Sequence, residues 1–288
     1  MNVKRRAKAL FCSIIACSAF AAFVLHFYPR FRSPHIPCIL LHQIGPPTKP
    51  SDLWAVSRLE FTKILDELKK RSIRTLSLEE VRTAVEEGQM PQNPPYVYLT
   101  FDDGCRSHVD VVLPELLKRS FQATFFVTVP PKASTATLGR DEIKELMKAG
   151  TVQSHTKTFE TLPQKTNEDS QSYKKRIQRD LVGFRMELSR LLGNEVYALA
   201  YPSGEHDSKV RQMSQQSGHR LCFTTEYGTI GPRHKADELP RFMITKDVAT
   251  ADVITFIDDD KFFHAMAALS CLLLALVSFI VSAITLIS

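Results

Sequence analysis

The sequence has no Gly-rich dinucleotide fingerprint and no P-loop, so nucleotide binding has no support. It has no Lys/Arg cluster interleaved with aromatic residues, which removes the usual footprint of a nucleic-acid binder. No Asp-x-Asp phosphatase nucleophile is present, nor any cysteine pair at zinc-binding spacing. Of the six cysteines, Cys12, Cys17 and Cys271 fall in long apolar runs. Cys38, Cys105 and Cys222 remain, widely spaced and odd in number, so at most one disulfide can form among them. There is no internal repeat and no low-complexity linker, which argues against a solenoid or a string of loosely tethered modules.

What the sequence does contain is an ordinary globular composition with a membrane contribution: 288 residues, 44% hydrophobic and 24% charged. The net charge of +6 is unevenly placed, with Lys4, Arg5, Arg6 and Lys8 all preceding the first apolar run. That run, residues 9–28, holds His26 but no Lys, Arg, Asp or Glu, and a second run at 263–287 is uncharged from Ala265 onward. A spanning helix takes roughly 20 apolar residues, so each run is expected to cross a membrane. By the positive-inside rule, residues 1–8 are expected in the cytoplasm and residues 29–261 on the extracytoplasmic side, periplasmic or outer. A cleaved signal peptide is the alternative for 9–28; the run's length and the lack of a clear Ala-x-Ala site favour an uncleaved anchor.

Between the runs, short β-rich stretches alternate with helical patterns. Strands are expected over 37–41, 96–101, 123–127, 151–154, 196–201 and 221–225. Helices are expected from capping boxes at Ser57/Glu60 and Ser77/Glu80, then over 109–119, 141–149, 173–192 and 207–216. This alternation predicts βαβ units and a parallel sheet. The fold expected is α/β: a distorted, incomplete (β/α) barrel of about seven parallel strands, with a doubly wound open sheet as the alternative.

Polar residues with chemical potential collect where these strands end. His42 follows Leu41, Asp102 and Asp103 follow Phe101, and His155 follows Ser154. Tyr201-Pro202-Ser203-Gly204 closes the strand from Val196. Taken singly, each is an ordinary turn or loop feature; Asp-Asp-Gly is a common turn sequence. In a parallel α/β barrel, however, the C-terminal strand ends share one face, and that face carries the active site.

These residues resemble a known family. Val97-Tyr98-Leu99-Thr100-Phe101-Asp102-Asp103-Gly104, followed by Ala123-Thr124-Phe125-Phe126-Val127, is similar to the first motif of the polysaccharide deacetylases with a NodB-homology domain (carbohydrate esterase family 4). Gln153 to Thr158 resembles the second motif, and Leu199 to Gly204 the third. Leu40-Leu41-His42-Gln43-Ile44 is similar to the subgroup that deacetylates poly-β-1,6-N-acetylglucosamine, in which a histidine motif lies on the N-terminal side. The resemblance implies Asp102 as general base, His42 as the acid that protonates the leaving amine, and Asp103 and His155 as ligands of a divalent metal. It also implies an oxyanion site at Tyr201, Pro202, Ser203 and Gly204. The zinc-type chemistry of such a site fits a His/carboxylate ligand set.

Three positions depart from the family pattern. Phe159 stands where a second histidine ligand is expected, so Glu160 is the expected substitute ligand. Ser203 and Cys105 replace aromatics. The expected activity is metal-dependent N-deacetylation of an N-acetylglucosamine-containing cell-envelope or extracellular polysaccharide. The main alternative is a catalytically weakened, membrane-held protein that binds glycans or a partner. A glycosidase pairing Asp102 with a distant acid such as Glu160 is a third reading.

Overall fold

In the computed structural model the described residues are 35–46, 53–93, 95–128, 137–232 and 234–258. The two expected membrane segments, 9–28 and 263–287, lie outside them. Among the described residues no helix is long and apolar enough to cross a membrane.

The described elements begin with β1 (Ile36–Leu41), α1 (Arg58–Lys70), β2 (Arg74–Thr75), α2 (Leu78–Glu87) and β3 (Tyr96–Phe101). They continue with α3 (Leu113–Arg119), β4 (Ala123–Val127), α4 (Arg140–Glu145), β5 (Gly150–Ser154), α5 (Ser170–Ile177) and α6 (Phe184–Leu192). The last are β6 (Ala198–Ala200), α7 (Ser208–Gln216), β7 (Leu221–Phe223), β8 (Thr229–Ile230), β9 (Phe242–Met243) and α8 (Thr250–Asp258). The expected long helix over 173–192 is interrupted: π-helical residues 178–183 separate α5 from α6. The Ser77/Glu80 capping box forms in full. At Ser57 only half of one forms, because the Glu60 carboxylate turns instead to the Thr250 N–H and hydroxyl at the start of α8.

The sheet runs β7-β6-β5-β4-β3-β1, with β9 beside β1 and β2 beside β3. All these pairs are parallel; only β8 joins β1 antiparallel. The sheet curls, and the chain between β8 and β9 reaches across its open side. Leu239 N–H donates to the Cys222 carbonyl (2.8 Å) and Thr224 N–H to the Leu239 carbonyl (2.9 Å), a few residues before β9 pairs with β1. The expected incomplete barrel is therefore observed as a curled, mostly parallel sheet, and the open doubly wound alternative is not.

Both faces of the strands are buried, as parallel strands require. Along β3, Val97, Leu99 and Phe101 pack outward against α1 and α3 with Phe61, Ile64, Leu65, Leu113 and Leu116. The alternate residues Tyr96 and Tyr98 point inward with Cys38, Phe126, Ala198, Ala200 and Phe223. This period-two division follows from strand geometry. Cys38, Cys105 and Cys222 form no disulfide. The described side chains thus pack the interior without covalent crosslinks.

Candidate active site

Parallel register brings the strand ends into line. Leu41 lies opposite Phe101, and Phe101 opposite Phe125. The ladder continues one step beyond, with Asp102 N–H donating to the Leu41 carbonyl (3.0 Å) and His155 N–H to the Val127 carbonyl (2.9 Å). His42, Asp102, Asp103 and His155 consequently emerge at one edge of the sheet, as the sequence pattern predicts.

Adjacent in sequence, Asp102 and Asp103 have different surroundings. Asp102 is 2% exposed. Both its oxygens accept from Arg241, Oδ1 from one terminal nitrogen (2.8 Å) and Oδ2 from the other (2.7 Å). Burial disfavours its ionised form, but the Arg241 guanidinium outweighs burial and holds the carboxyl below the ordinary aspartate range. Asp103 instead takes a left-handed backbone (φ 79°), which swings its side chain to a position one-third exposed (33%). Its Oδ1 faces inward, buried and without a hydrogen-bond partner, 3.3 Å from Nε2 of His155.

His155 is fixed by its other nitrogen. Nδ1 lies 2.8 Å from the Ala200 carbonyl at the end of β6, so Nδ1 carries the hydrogen and Nε2 is the nitrogen turned to Asp103. A lone pair on Nε2 and a carboxylate oxygen 3.3 Å apart repel unless a cation lies between them. A proton is one such cation: although burial opposes it, the Asp102 and Asp103 charges raise the imidazole above its ordinary pKa. A metal ion is the other. Two ligand atoms at about 2.0–2.1 Å from a tetrahedral ion stand roughly 3.3 Å apart, which matches this pair.

A third protein donor is missing. Among the described residues no three His, Cys, Asp or Glu side chains gather into a metal-binding set. The expected substitute, Glu160, is a correction: its carboxylate pairs with Lys165 (2.7 Å) and is 43% exposed. The physical reason lies one residue earlier. Phe159 holds a left-handed backbone (φ 59°) with its ring against the His155 imidazole, centroids 5.2 Å apart. Thr158, bonded to the fully buried carboxylate of Asp180 (3.0 Å), anchors that conformation. The donors present therefore fit an ion held by two side chains, not three.

His42 stacks at a tilt on Trp54, centroids 5.8 Å apart. Burial lowers its imidazole pKa despite the nearby Asp102 and Asp103 charges, and its Nδ1 has no hydrogen-bond partner. Its backbone is pinned by His108, whose Nε2 donates to the His42 carbonyl (2.9 Å). Burial also pushes the His108 imidazole down, to about 4, so this histidine is neutral and structural.

The Tyr201–Gly204 turn divides its expected role. Tyr201 is fully buried, its hydroxyl donates to the Asp237 carbonyl (3.0 Å) and its N–H to the Phe223 carbonyl (3.0 Å). That corrects its expectation as a substrate contact. Pro202 has no N–H and is buried, and Gly204 N–H donates to the Tyr201 carbonyl (2.9 Å). Ser203 remains: it is exposed and left-handed (φ 57°). Gly204 makes the turn possible, since a Cβ there would meet the Thr225 hydroxyl oxygen at 2.1 Å. Asp103, Thr156, Phe159 and Ser203 are four of the seven described non-glycine residues with positive φ, and strain of this kind concentrates at functional sites.

Arg241 has no precursor in the sequence expectations. It precedes β9, lies outside every motif, and is fully buried over the Phe126 and Phe223 rings. Besides Asp102 it reaches Thr100 Oγ1 (3.2 Å) and the Thr224 carbonyl (2.8 Å), tying β3 to the end of β7. A lone arginine between loops gave no signal; the unpaired acidity of Asp102 at a buried strand end was the only hint that a cation must arrive from elsewhere.

Comparison with known proteins bears on this geometry. Residues 89–222 match the family model for polysaccharide deacetylase, a span that includes Asp102, Asp103, His155 and the Tyr201–Gly204 turn. No curated protein matches the chain. Among solved structures, the deacetylase PplD of Streptococcus pyogenes, in complex with acetate, is 24% identical (TM-score 0.70), covering 78% of this chain and 99% of its own. IcaB from Ammonifex degensii is 22% identical (TM-score 0.67), covering 79% and 99%. A de-N-acetylase from Aggregatibacter actinomycetemcomitans is 16% identical (TM-score 0.63), covering 77% and 99%. At these identities the likeness is one of fold.

Proposed function

We propose, from the match of residues 89–222 to the polysaccharide deacetylase family model, that this chain is a hydrolase of carbon–nitrogen bonds that removes acetyl groups from N-acetylglucosamine units of a cell-envelope or extracellular polysaccharide. The observation that carries this reading is the division of labour between adjacent carboxylates: Asp102 clamped ionised by Arg241, Asp103 aimed at His155. The reaction is acetamide plus water giving acetate plus amine.

In this reading Asp103 and His155 hold a divalent ion, zinc by their donor chemistry; when bound, it acidifies water and polarises the acetamide carbonyl. The remaining work falls to the chain. Asp102 accepts the proton of the attacking water; both its oxygens already accept from Arg241, which fixes the carboxylate plane while leaving further lone pairs. The Ser203 N–H donates to the oxygen that becomes negative as the carbonyl turns tetrahedral. His42 protonates the nitrogen as the carbon–nitrogen bond breaks. Its lowered pKa makes it neutral in the resting protein, so it takes up its proton before or during the reaction. Membrane segments at 9–28 and 263–287 would hold this domain at the extracytoplasmic surface, beside such a substrate.

Incubation of the full chain with N-acetylglucosamine oligomers, following acetate and chain length separately, tests the proposal. Acetate release at constant chain length supports it. Chain shortening without acetate would replace it with glycosidase chemistry, and glycan binding with no acetate at any zinc concentration with the weakened, glycan-binding reading.

A further inference from the structure

Trp54 is the chain's one tryptophan. It lies between β1 and α1, on the loop that leaves the strand end at His42, and is 43% exposed. An indole in water is costly; burying its 150–250 Å² of ring is worth far more than leaving it out. Its ring leans on the His42 imidazole, centroids 5.8 Å apart at 38°. Phe159 repeats the arrangement at the other histidine: 47% exposed, tilted 64° against His155 at 5.2 Å. Phe159 also keeps a backbone conformation that a bulky residue rarely adopts, and the Asp180–Thr158 bond holds that loop. Of the seven exposed large apolar side chains among the described residues, Trp54 and Phe159 are the two whose rings lie against the His42 and His155 imidazoles of the site. An exposed aromatic beside a polar centre is the hallmark of a binding surface for something with both apolar and polar faces.

We infer that Trp54 and Phe159 form the pyranose platforms of the site, receiving the C–H faces of neighbouring sugar units on the His42 and His155 sides of the acetamide being hydrolysed. The inference rests on the deacetylase reading above and adds to it how a polymer is gripped. A pyranose offers an apolar face of axial hydrogens and a rim of hydroxyls. The aromatic rings cover the first; the carboxylates and backbone N–H of the strand ends meet the second. The platforms require more than one sugar, so the site is a reader of oligomers rather than of single N-acetylglucosamine.

Because Trp54 has no second tryptophan beside it, its fluorescence reports this subsite alone. The full chain is titrated with the N-acetylglucosamine trimer and with the monomer, following tryptophan emission and, independently, heat of binding. The expected result is a saturable emission change with trimer at the calorimetric midpoint. Trp54→Leu and Phe159→Ala should each weaken trimer binding about tenfold, the weight of roughly 1.4 kcal/mol, with Trp54→Phe restoring most of the affinity. Neither ring belongs to the buried core, and melting temperatures compared across the variants separate any loss of packing on His42 or His155 from the loss of affinity, which Trp54→Phe should restore. Trimer binding by calorimetry with unchanged emission, and with Trp54→Leu binding as tightly as the natural chain, overturns the platforms while leaving deacetylation standing if acetate is still released. Absence of both trimer binding and acetate release overturns the deacetylase reading and the platforms together.

Discussion

Replacing Arg241 with Met tests whether the Asp102 clamp holds the site together as the structure implies. Arg241 and Asp102 are 0% and 2% exposed, and their bond is bidentate. Met matches the length and apolar stem of arginine and keeps contact with Phe126 and Phe223, so lost packing is a small part of the effect. What remains is a buried carboxylate without its counter-charge and a Thr224 carbonyl without its donor. Breaking a buried pair from one side costs about 3–5 kcal/mol. For a unit of the size of Pro34–Ile257, each kcal/mol corresponds to about 2–4 °C, so the melting temperature should fall by roughly 6–20 °C. The pH dependence carries the sign. In the natural chain Asp102 is held below its ordinary pKa, so it contributes stability that is present above the unfolded aspartate value of about 3.9 and is lost as pH falls through its folded value. In Arg241→Met, burial is opposed only by the His155 and His42 charges and raises the carboxyl instead; lowering the pH then neutralises a buried charge and offsets part of the loss. The gap between the two proteins should therefore narrow from pH 7 toward pH 4.5, and Asp102→Asn combined with Arg241→Met should recover part of the stability. Denaturant titrations at both pH values measure this. A loss under 1 kcal/mol, or a gap that widens at low pH, refutes the clamp.

Three further outcomes follow from the same geometry. Zinc should raise the melting temperature of the natural chain only modestly, with the shift abolished by His155→Ala; Phe159→His should enlarge it, a tenfold gain in affinity adding about 1.4 kcal/mol at saturating metal. An equal shift in all three proteins would deny the Asp103–His155 pair any part in binding. Gly204→Ala places a methyl against Thr225 at a positive φ and should cost about 1–3 kcal/mol, with Thr225→Ala recovering part of it in a thermal melt; no cost would mean the turn adopts another shape. Removing His42 by substitution with Ala should slow acetate release by about 10²–10⁴-fold, measured at constant substrate occupancy, whereas an unchanged rate would remove it from proton transfer.

The strand ends were legible because period-two burial and strand–helix alternation identify where a parallel strand stops, and the register Leu41–Phe101–Phe125 then brings His42, Asp102 and Asp103 to one edge. Side-chain direction beyond the strand was less legible. Glu160 is next to the position where a ligand is wanted, but a left-handed residue at Phe159 and a nearby Lys165 send it to solvent, and nothing in residue spacing encodes either. Tyr201 is expected at a strand end as part of the substrate and oxyanion turn, yet the residue just past β6 is fully buried. Arg241 is separated from Asp102 by 139 residues, and no local pattern links them; only the curl of the sheet does. The short strands β8 and β9, two residues each, fall below any periodicity that a sequence can display.

Hydrolysis in ¹⁸O-labelled water most directly tests the central claim that the Asp102-centred site cleaves an acetamide by water attack. N-acetylglucosamine oligomer incubated with the full chain and zinc should yield acetate carrying one ¹⁸O and an oligomer of unchanged length with free amines, and Asp102→Asn, with trimer binding preserved, should lower that yield at least 10²-fold. Labelled acetate formed at the same rate by Asp102→Asn, or no acetate from a protein that binds the oligomer, would contradict it.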